Sequence, residues 1–158
     1  MLKNINHYAL YIVLILISNT AYSLEYEDWV VGTGQGYVEY SVENGPGNKF
    51  TIVCDIAASL DHRGTGLMIS IKDKSPPKNS TVKIILDNKE IELITDDNSD
   101  MKADCHVCSD NFVYLWEKIR KSKFMIVQFS NGNSSSFSLN GAKKALDKKV
   151  CRTGWMGK

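Results

Sequence analysis

The sequence has none of the short motifs that mark the common enzyme classes. It contains no GxSxG elbow for a nucleophilic serine and no HExxH pair for a catalytic zinc ion. The glycine-rich stretch 32–36 does not have the GxGxxG spacing of a phosphate-binding loop, so we expect a flexible loop there. These absences favour a protein that acts by binding, with a hydrolase as the remaining enzymatic alternative.

A surplus of either charge is also lacking, because 19 Lys and Arg residues are matched by 18 Asp and Glu residues. Proteins that bind nucleic acid or anionic membranes need a basic surplus to neutralise phosphate groups. We therefore expect no nucleic-acid partner.

Long hydrophobic runs are absent except near the N-terminus. Tyr8–Ile17 is an unbroken apolar run of ten residues, whereas a helix that crosses a bilayer needs roughly 20. The small residues Ala21 and Ser23 fit a signal-peptidase site, and no cysteine stands there to make a lipoprotein. We predict a signal peptide over 1–23 and a single exported domain over 24–158, periplasmic and without stable membrane insertion; an uncleaved anchor is the alternative.

Four cysteines follow the predicted signal peptide: Cys54, Cys105, Cys108 and Cys151. In an exported domain, an even set of cysteines favours disulfides, and four cysteines allow three connectivities. We favour Cys105–Cys108 together with Cys54–Cys151. The long bridge would stabilise the fold by about 4–5 kcal/mol at most, because it closes a long loop in the unfolded chain.

The stretch Cys-His-Val-Cys is compatible with a redox centre, a metal site or a structural staple. A CxxC beside a helix N-terminus has lowered thiol pKa values, but the predicted helix cap is Ser109 or Asp110, downstream of Cys105, and no βαβ pattern precedes it. A zinc site would need two further ligands, and the other two cysteines do not form a second CxxC. We therefore expect a staple with His106 facing solvent, and no metal or cofactor.

Apolar periodicity predicts one long helix and several strands. Phe112, Leu115, Trp116 and Ile119 form a stripe at helical spacing. The predicted strands lie in Tyr37–Val42, Lys49–Ile56, Gly66–Ile71, a hairpin over Thr81–Thr95 that turns at Asp87 and Asn88, and a second hairpin around Asn131, Gly132 and Asn133. A short helix is expected from about Gly141, capped by Asn140. The predicted class is mainly β with two helices: about seven antiparallel strands in a sandwich or strongly curved sheet, stapled by disulfides.

The C-terminal stretch FMIVQFSNGNSSSFSLNGAKKALDKKVC, residues Phe124–Cys151, resembles two groups of bacterial periplasmic sandwich proteins. These are the invasion-associated locus B family and the accessory periplasmic proteins of type VI secretion. In size, export and disulfides, the chain is also similar to periplasmic bacteriocin immunity proteins of the pesticin immunity type. The second resemblance implies a protein that binds and neutralises a cell-envelope-targeting bacteriocin or toxin, and the first implies an envelope or secretion accessory protein without a toxin partner.

An immunity or inhibitor function would use exposed loops and aromatic anchors to hold the toxin. The candidate contacts are Asp61, His62, Arg63, Asp96, Asp97, Asp100 and Trp155. Asp61 and His62 are also the best acid–base pair for a hydrolase, but their stretch is typical of a turn between two strands. For Trp155, packing against the Cys151 bridge is the alternative to a role in binding.

Overall fold

A computed structural model of the chain describes residues 22–57 and 64–156. Within these residues the fold has ten strands and two helices. The elements are β1 (Tyr22–Tyr26), β2 (Trp29–Gly34), β3 (Tyr37–Glu43), β4 (Lys49–Asp55), β5 (Gly66–Ser70), β6 (Thr81–Leu86), β7 (Lys89–Ile94), β8 (Met101–Lys102), α1 (His106–Ile119), β9 (Phe124–Phe129), β10 (Ser134–Ser138) and α2 (Ala142–Ala145).

The strands form two antiparallel sheets with a shared apolar core. One sheet has the order β1-β2-β3-β4-β5-β8, and the other has the order β10-β9-β6-β7. Phe50 of the first sheet contacts Phe137 of the second, with ring centroids 6.1 Å apart. The predicted class, mainly β with two helices and two disulfides, is therefore confirmed.

Both predicted hairpins are present, and their turns use the residues that the sequence indicated. Asp87 and Asn88 have φ angles of 48° and 63° between β6 and β7, which is the conformation that a tight two-residue turn requires. Gly132 has a φ of 87° between β9 and β10, where a side chain would add strain. Val82 and Ile84 of β6 are fully buried, as are Met125 and Val127 of β9, so each hairpin has one face in the core.

The N-terminal part of the described chain differs from the prediction. The glycine-rich stretch expected to be a flexible loop is largely strand, because β2 ends only at Gly34 and the turn into β3 follows. The contacts of Trp29 explain why this stretch forms a strand. The side chain is fully buried, its ring lies 6.4 Å from that of Phe50, and its Nε1 donates to the Ser138 carbonyl at 3.3 Å. Of the predicted signal peptide over 1–23, residues 1–21 lie outside the described part, and Tyr22 and Ser23 belong to β1.

Both helices begin differently from the prediction. The N-cap of α1 is Cys105, whose sulfur accepts a hydrogen bond from the Cys108 amide at 3.1 Å, so Ser109 and Asp110 lie inside the helix. The sulfur replaces the oxygen that a usual cap residue supplies. The N-cap of α2 is Gly141 with a φ of 87° and no side-chain cap, so Asn140 does not cap it.

The two disulfides are Cys54–Cys151 and Cys105–Cys108, the pairing favoured from the sequence. Their Cα atoms are 5.7 Å and 4.9 Å apart, respectively. Within residues 22–57 and 64–156, no helix is both long enough and apolar enough to cross a membrane.

Candidate functional site

A partly open cavity of about 310 Å³ lies at the N-terminal end of α1, between two edge strands. We call it the α1 groove. Its apolar lining comes from Leu67, Leu93, Ile94, Met101, Val107 and Phe112. The volume is at the lower end of the range of small-molecule and peptide-anchor pockets.

The groove exists because neither sheet closes at this end. Strand β7 is the last strand of the four-stranded sheet, and β8 is the last strand of the six-stranded sheet. Helix α1 covers part of the gap, since Asn111 Nδ2 donates to the Glu92 carbonyl on β7 at 3.3 Å. Within the described residues no further strand pairs with β7, so its outer edge has strand hydrogen-bonding groups that an extended chain could use.

Two aliphatic side chains stand at the mouth of the groove in contact with solvent. Ile94 is 75% exposed and Val107 is 64% exposed. Both line the cavity, whose floor is formed by buried residues such as Leu67 and Phe112. A concave apolar surface with exposed aliphatic side chains is typical of a binding site.

The Cys105–Cys108 disulfide forms part of the same wall. Cys105 is exposed, and Cys108 is half-buried one helical turn later. Cys105 is itself the N-cap of α1, so the sequence-based argument against a redox role, with a cap downstream at Ser109 or Asp110, is wrong on this point. His106, between the two cysteines, faces solvent as predicted, and its Nδ1 lies 3.5 Å from Asp110 Oδ2.

The carboxylates predicted as partner contacts mainly organise the loop between β7 and β8. Asp96 accepts hydrogen bonds from the amides of Asn98 at 2.7 Å and Asp100 at 3.0 Å, and it lies 3.3 Å from the Lys102 ammonium. Burial alone would raise the pKa of Asp96, but these donors lower it below the ordinary value. Asp97 accepts from Asn79 Nδ2 at 2.7 Å.

Asp100 has the opposite electrostatic environment. Partial burial, reinforced by the nearby Asp96 carboxylate and opposed by Lys102, raises its pKa. It does not line the α1 groove, whereas Lys102 does. The acidic loop is therefore connected to the groove by the ion pair between Asp96 and Lys102, because Lys102 lines the groove.

The C-terminal tail brings Trp155 to the turn that holds the two cysteines. Its ring contacts that of His106 edge-on, with centroids 5.6 Å apart, and 39% of the side chain is exposed. The tail is fixed there by a hydrogen bond of 2.7 Å between the buried hydroxyl groups of Ser109 and Thr153. The ring contact of Trp155 is thus with the CxxC turn, beside the groove.

The predicted contacts Asp61, His62 and Arg63 lie outside the described residues. Within the described ranges, no three His, Cys, Asp or Glu side chains cluster closely enough to hold a metal ion. The chemistry that these ranges do assemble consists of an apolar groove, an exposed disulfide and an aromatic pair.

Comparison with protein families gives one match, to a family described as YfjT, over residues 27–146. That range is well over half of the chain. The chain belongs to the YfjT family. The matched range contains β2 to β10, both helices and three of the four cysteines, while Cys151 lies beyond it. The comparisons with curated proteins and with solved structures give no match.

In this YfjT-family chain, the sequence interpretation missed the two aliphatic side chains at the groove mouth. A signal was present for Ile94: Ile91 and Leu93 alternate toward the core, so an aliphatic residue directly after Leu93 must face outward. Val107 had a weaker signal, because its exposure depends on where α1 begins. The groove itself involves Leu67 and Met101, which are distant in the chain, and no local pattern predicts it.

Proposed function

We propose that this chain is an exported immunity or inhibitor protein that binds and neutralises a cell-envelope-targeting bacteriocin or toxin. The observation that carries the proposal is the α1 groove, with Ile94 and Val107 exposed at its mouth. Burying one such aliphatic side chain against a partner contributes about 1.5–3 kcal/mol. A pair of them beside a concave apolar surface is typical of an interaction site.

The partner segment that fits this groove is extended and apolar, with a basic residue nearby. It would lie along the open edge of β7, where backbone hydrogen bonds give affinity and side chains that enter the groove give specificity. Two charged residues of the lining are already ion-paired, Glu92 with Lys83 and Lys102 with Asp96, each at 3.3 Å. Asp104 is exposed next to the groove, and a Lys or Arg of the partner would be complementary to it.

The contact must extend beyond the groove to give a tight complex, since a stable interface buries about 800 Å² on each partner. Trp155 and His106 lie beside the CxxC turn and offer the nearest aromatic surface. Trp side chains are frequent anchors of binding energy. The proposed surface thus runs from Ile94 across the CxxC turn to Trp155.

The proposed location is the periplasm, with the predicted signal peptide removed. Two disulfides support an oxidising compartment. Cleavage after Ser23 would shorten β1 by Tyr22 and Ser23 and leave the pairing of Leu24 with Val31 in place.

The test is capture and protection with a matched pair of surface variants. Ile94→Asp places a charge at the groove mouth. The control Phe124→Asp places a charge outside the groove, at a 59% exposed position of β9. The purified proteins would be used as bait in envelope extracts of the organism that encodes the chain, with mass spectrometry as the readout. Any captured protein would then be tested for killing of sensitive cells.

The expected result is one stoichiometric protein that kills sensitive cells and is blocked by the wild type and by Phe124→Asp, but not by Ile94→Asp. Recovery of only secretion or cell-wall components would instead favour the accessory function. Equal capture and protection by both variants would show that the groove is not the binding surface.

A further inference from the structure

Of the four cysteines, Cys105 alone is exposed. Cys54 is 1% exposed and lies in the core, and its partner Cys151 is half-buried and packs against that core. Cys105, in contrast, is exposed, lies at the N-cap of α1 and is bonded to the half-buried Cys108. Cys105 is therefore the cysteine that a reagent or a partner thiol reaches most directly.

Helix α1 favours a thiolate on Cys105 whenever that bond opens. The Cys108 amide already points at the Cys105 sulfur, at 3.1 Å, and helix N-terminal amides carry partial positive charge. A thiolate is the species that attacks and leaves in thiol–disulfide exchange, and helix N-termini are among the sites that stabilise it.

The groove supplies what an exposed disulfide alone lacks, which is a place for a substrate. Cys105, Val107 and Cys108 line the cavity together with Ile94 and the end of β7. An extended segment laid along β7 would bring its side chains to the disulfide, because the strand edge and the sulfur atoms bound the same cavity.

We propose that the Cys105–Cys108 disulfide is a redox site that exchanges with cysteine thiols of an apolar peptide segment held in the α1 groove. The inference rests on the proposed binding function, because it uses the same groove and adds a reaction to it. The substrate class is a protein or peptide dithiol, and the cysteines lie next to aliphatic residues.

The exchange balances with the dithiol as the only co-reactant. A thiolate of the segment attacks the exposed Cys105 sulfur, and Cys108 leaves as a thiolate that takes up a proton. The second thiolate of the segment then attacks the segment sulfur that is bonded to Cys105, and Cys105 is released as a thiolate that takes up a proton. The segment loses two electrons and two protons and gains a disulfide, while Cys105 and Cys108 become a dithiol.

The first test measures how fast two synthetic peptides open the disulfide in the purified protein. Both peptides carry two cysteines; in one the neighbouring residues are aliphatic, and in the other they are serine. The reaction is stopped by alkylation, and mass spectrometry reports thiols at Cys105 and Cys108, with Cys54–Cys151 as the internal control.

We expect the aliphatic peptide to react about tenfold faster or more, because one buried aliphatic side chain strengthens binding by at least that factor. The ratio should fall to near one in Ile94→Asp and persist in Phe124→Asp. Equal rates for the two peptides on the wild type would overturn the proposal.

The second test identifies the sulfur that bonds to the segment. Cys108→Ala leaves Cys105 alone, and Cys105→Ala leaves the half-buried Cys108 alone. Given the peptide in its disulfide form, Cys108→Ala should form the mixed disulfide about tenfold faster than Cys105→Ala, since the attacking sulfur must be accessible. Faster capture by Cys108 would contradict the assigned order of attack.

A third measurement separates this inference from the binding function. The aliphatic peptide with serine in place of both cysteines should still bind the wild type and lose affinity for Ile94→Asp. If it binds but the dithiol peptide does not exchange, the redox inference fails and the binding function stands. If it does not bind, the groove is not a peptide site, and both proposals fail.

Discussion

Cys54 is almost fully buried and is bonded to a residue 97 positions away, whereas Cys105 is exposed and is bonded to a residue three positions away. The long bridge ties β4 to the C-terminal tail. The short bridge closes a single turn and ties α1 to nothing else. The two bridges therefore have different physical consequences. The long bridge restricts a large part of the unfolded chain, and the short bridge restricts very little of it.

The two bridges are connected through the tail. Thr65 Oγ1 donates to the Arg152 carbonyl at 2.7 Å, next to the long bridge, and the Ser109–Thr153 hydrogen bond then holds the tail against the CxxC turn. The long bridge thus helps to position the C-terminal tail, which packs against the turn that contains the short bridge. Stability should depend on the first region, and surface chemistry on the second.

The largest expected effect is removal of the long bridge. Replacing both Cys54 and Cys151 with Ser should lower the free energy of unfolding by about 4–5 kcal/mol at most, because the unfolded chain regains the entropy of a long loop. Urea unfolding of the double variant and the wild type measures it. A loss no greater than that caused by removing Cys105–Cys108 would invert the comparison.

The second effect concerns the core against which the long-bridge region packs. Burial, followed by the negative charges of Asp147 and Tyr26, raises the pKa of Tyr40 from 10.0 to about 12. Because the folded state holds this proton more tightly than the unfolded state, the stabilisation is complete below pH 10 and is lost as the pH rises toward 12. At about 1.4 kcal/mol per pKa unit, the loss is of order 2–3 kcal/mol.

Tyr40→Phe provides the check on that pH dependence. Urea unfolding at pH 10 and near pH 12 should show a smaller decline in the variant, and the near-ultraviolet titration should lack its last tyrosinate step. The same decline in both proteins would show that Tyr40 does not control the alkaline limit.

The third effect tests the joint between the tail and β4. Thr65 is fully buried, and its hydroxyl accepts from the Asp55 amide at 3.0 Å while donating to Arg152. Thr65→Val keeps the shape and leaves both backbone groups without this partner, so we expect a loss of about 1–3 kcal/mol in unfolding free energy. Thr65→Ser keeps the hydroxyl and should lose clearly less; an equal loss would mean that packing, not hydrogen bonding, matters there.

The sequence predicted the stability-determining region better than the candidate site. The hairpins and the helical stripe around Trp116 follow from local periodicity. The cysteine count allowed three connectivities, and the favoured one is present. The burial of Trp29 does not, because it depends on contacts with Phe50 and Ser138 that are remote in the chain. The start of α1 was missed because a cysteine sulfur caps it, and a local reading favours Ser or Asp there.

The smallest expected effect is removal of the short bridge, by replacing both Cys105 and Cys108 with Ala. A loop this short returns little entropy to the unfolded chain, so the loss should be at most about 1.5 kcal/mol, part of it from the lost sulfur cap. Urea unfolding measures the loss, and binding of the aliphatic peptide with serine in place of both cysteines checks that the α1 groove survives. A loss comparable to that of the long-bridge variant would make the CxxC turn a structural staple and remove the physical basis for assigning it a separate role.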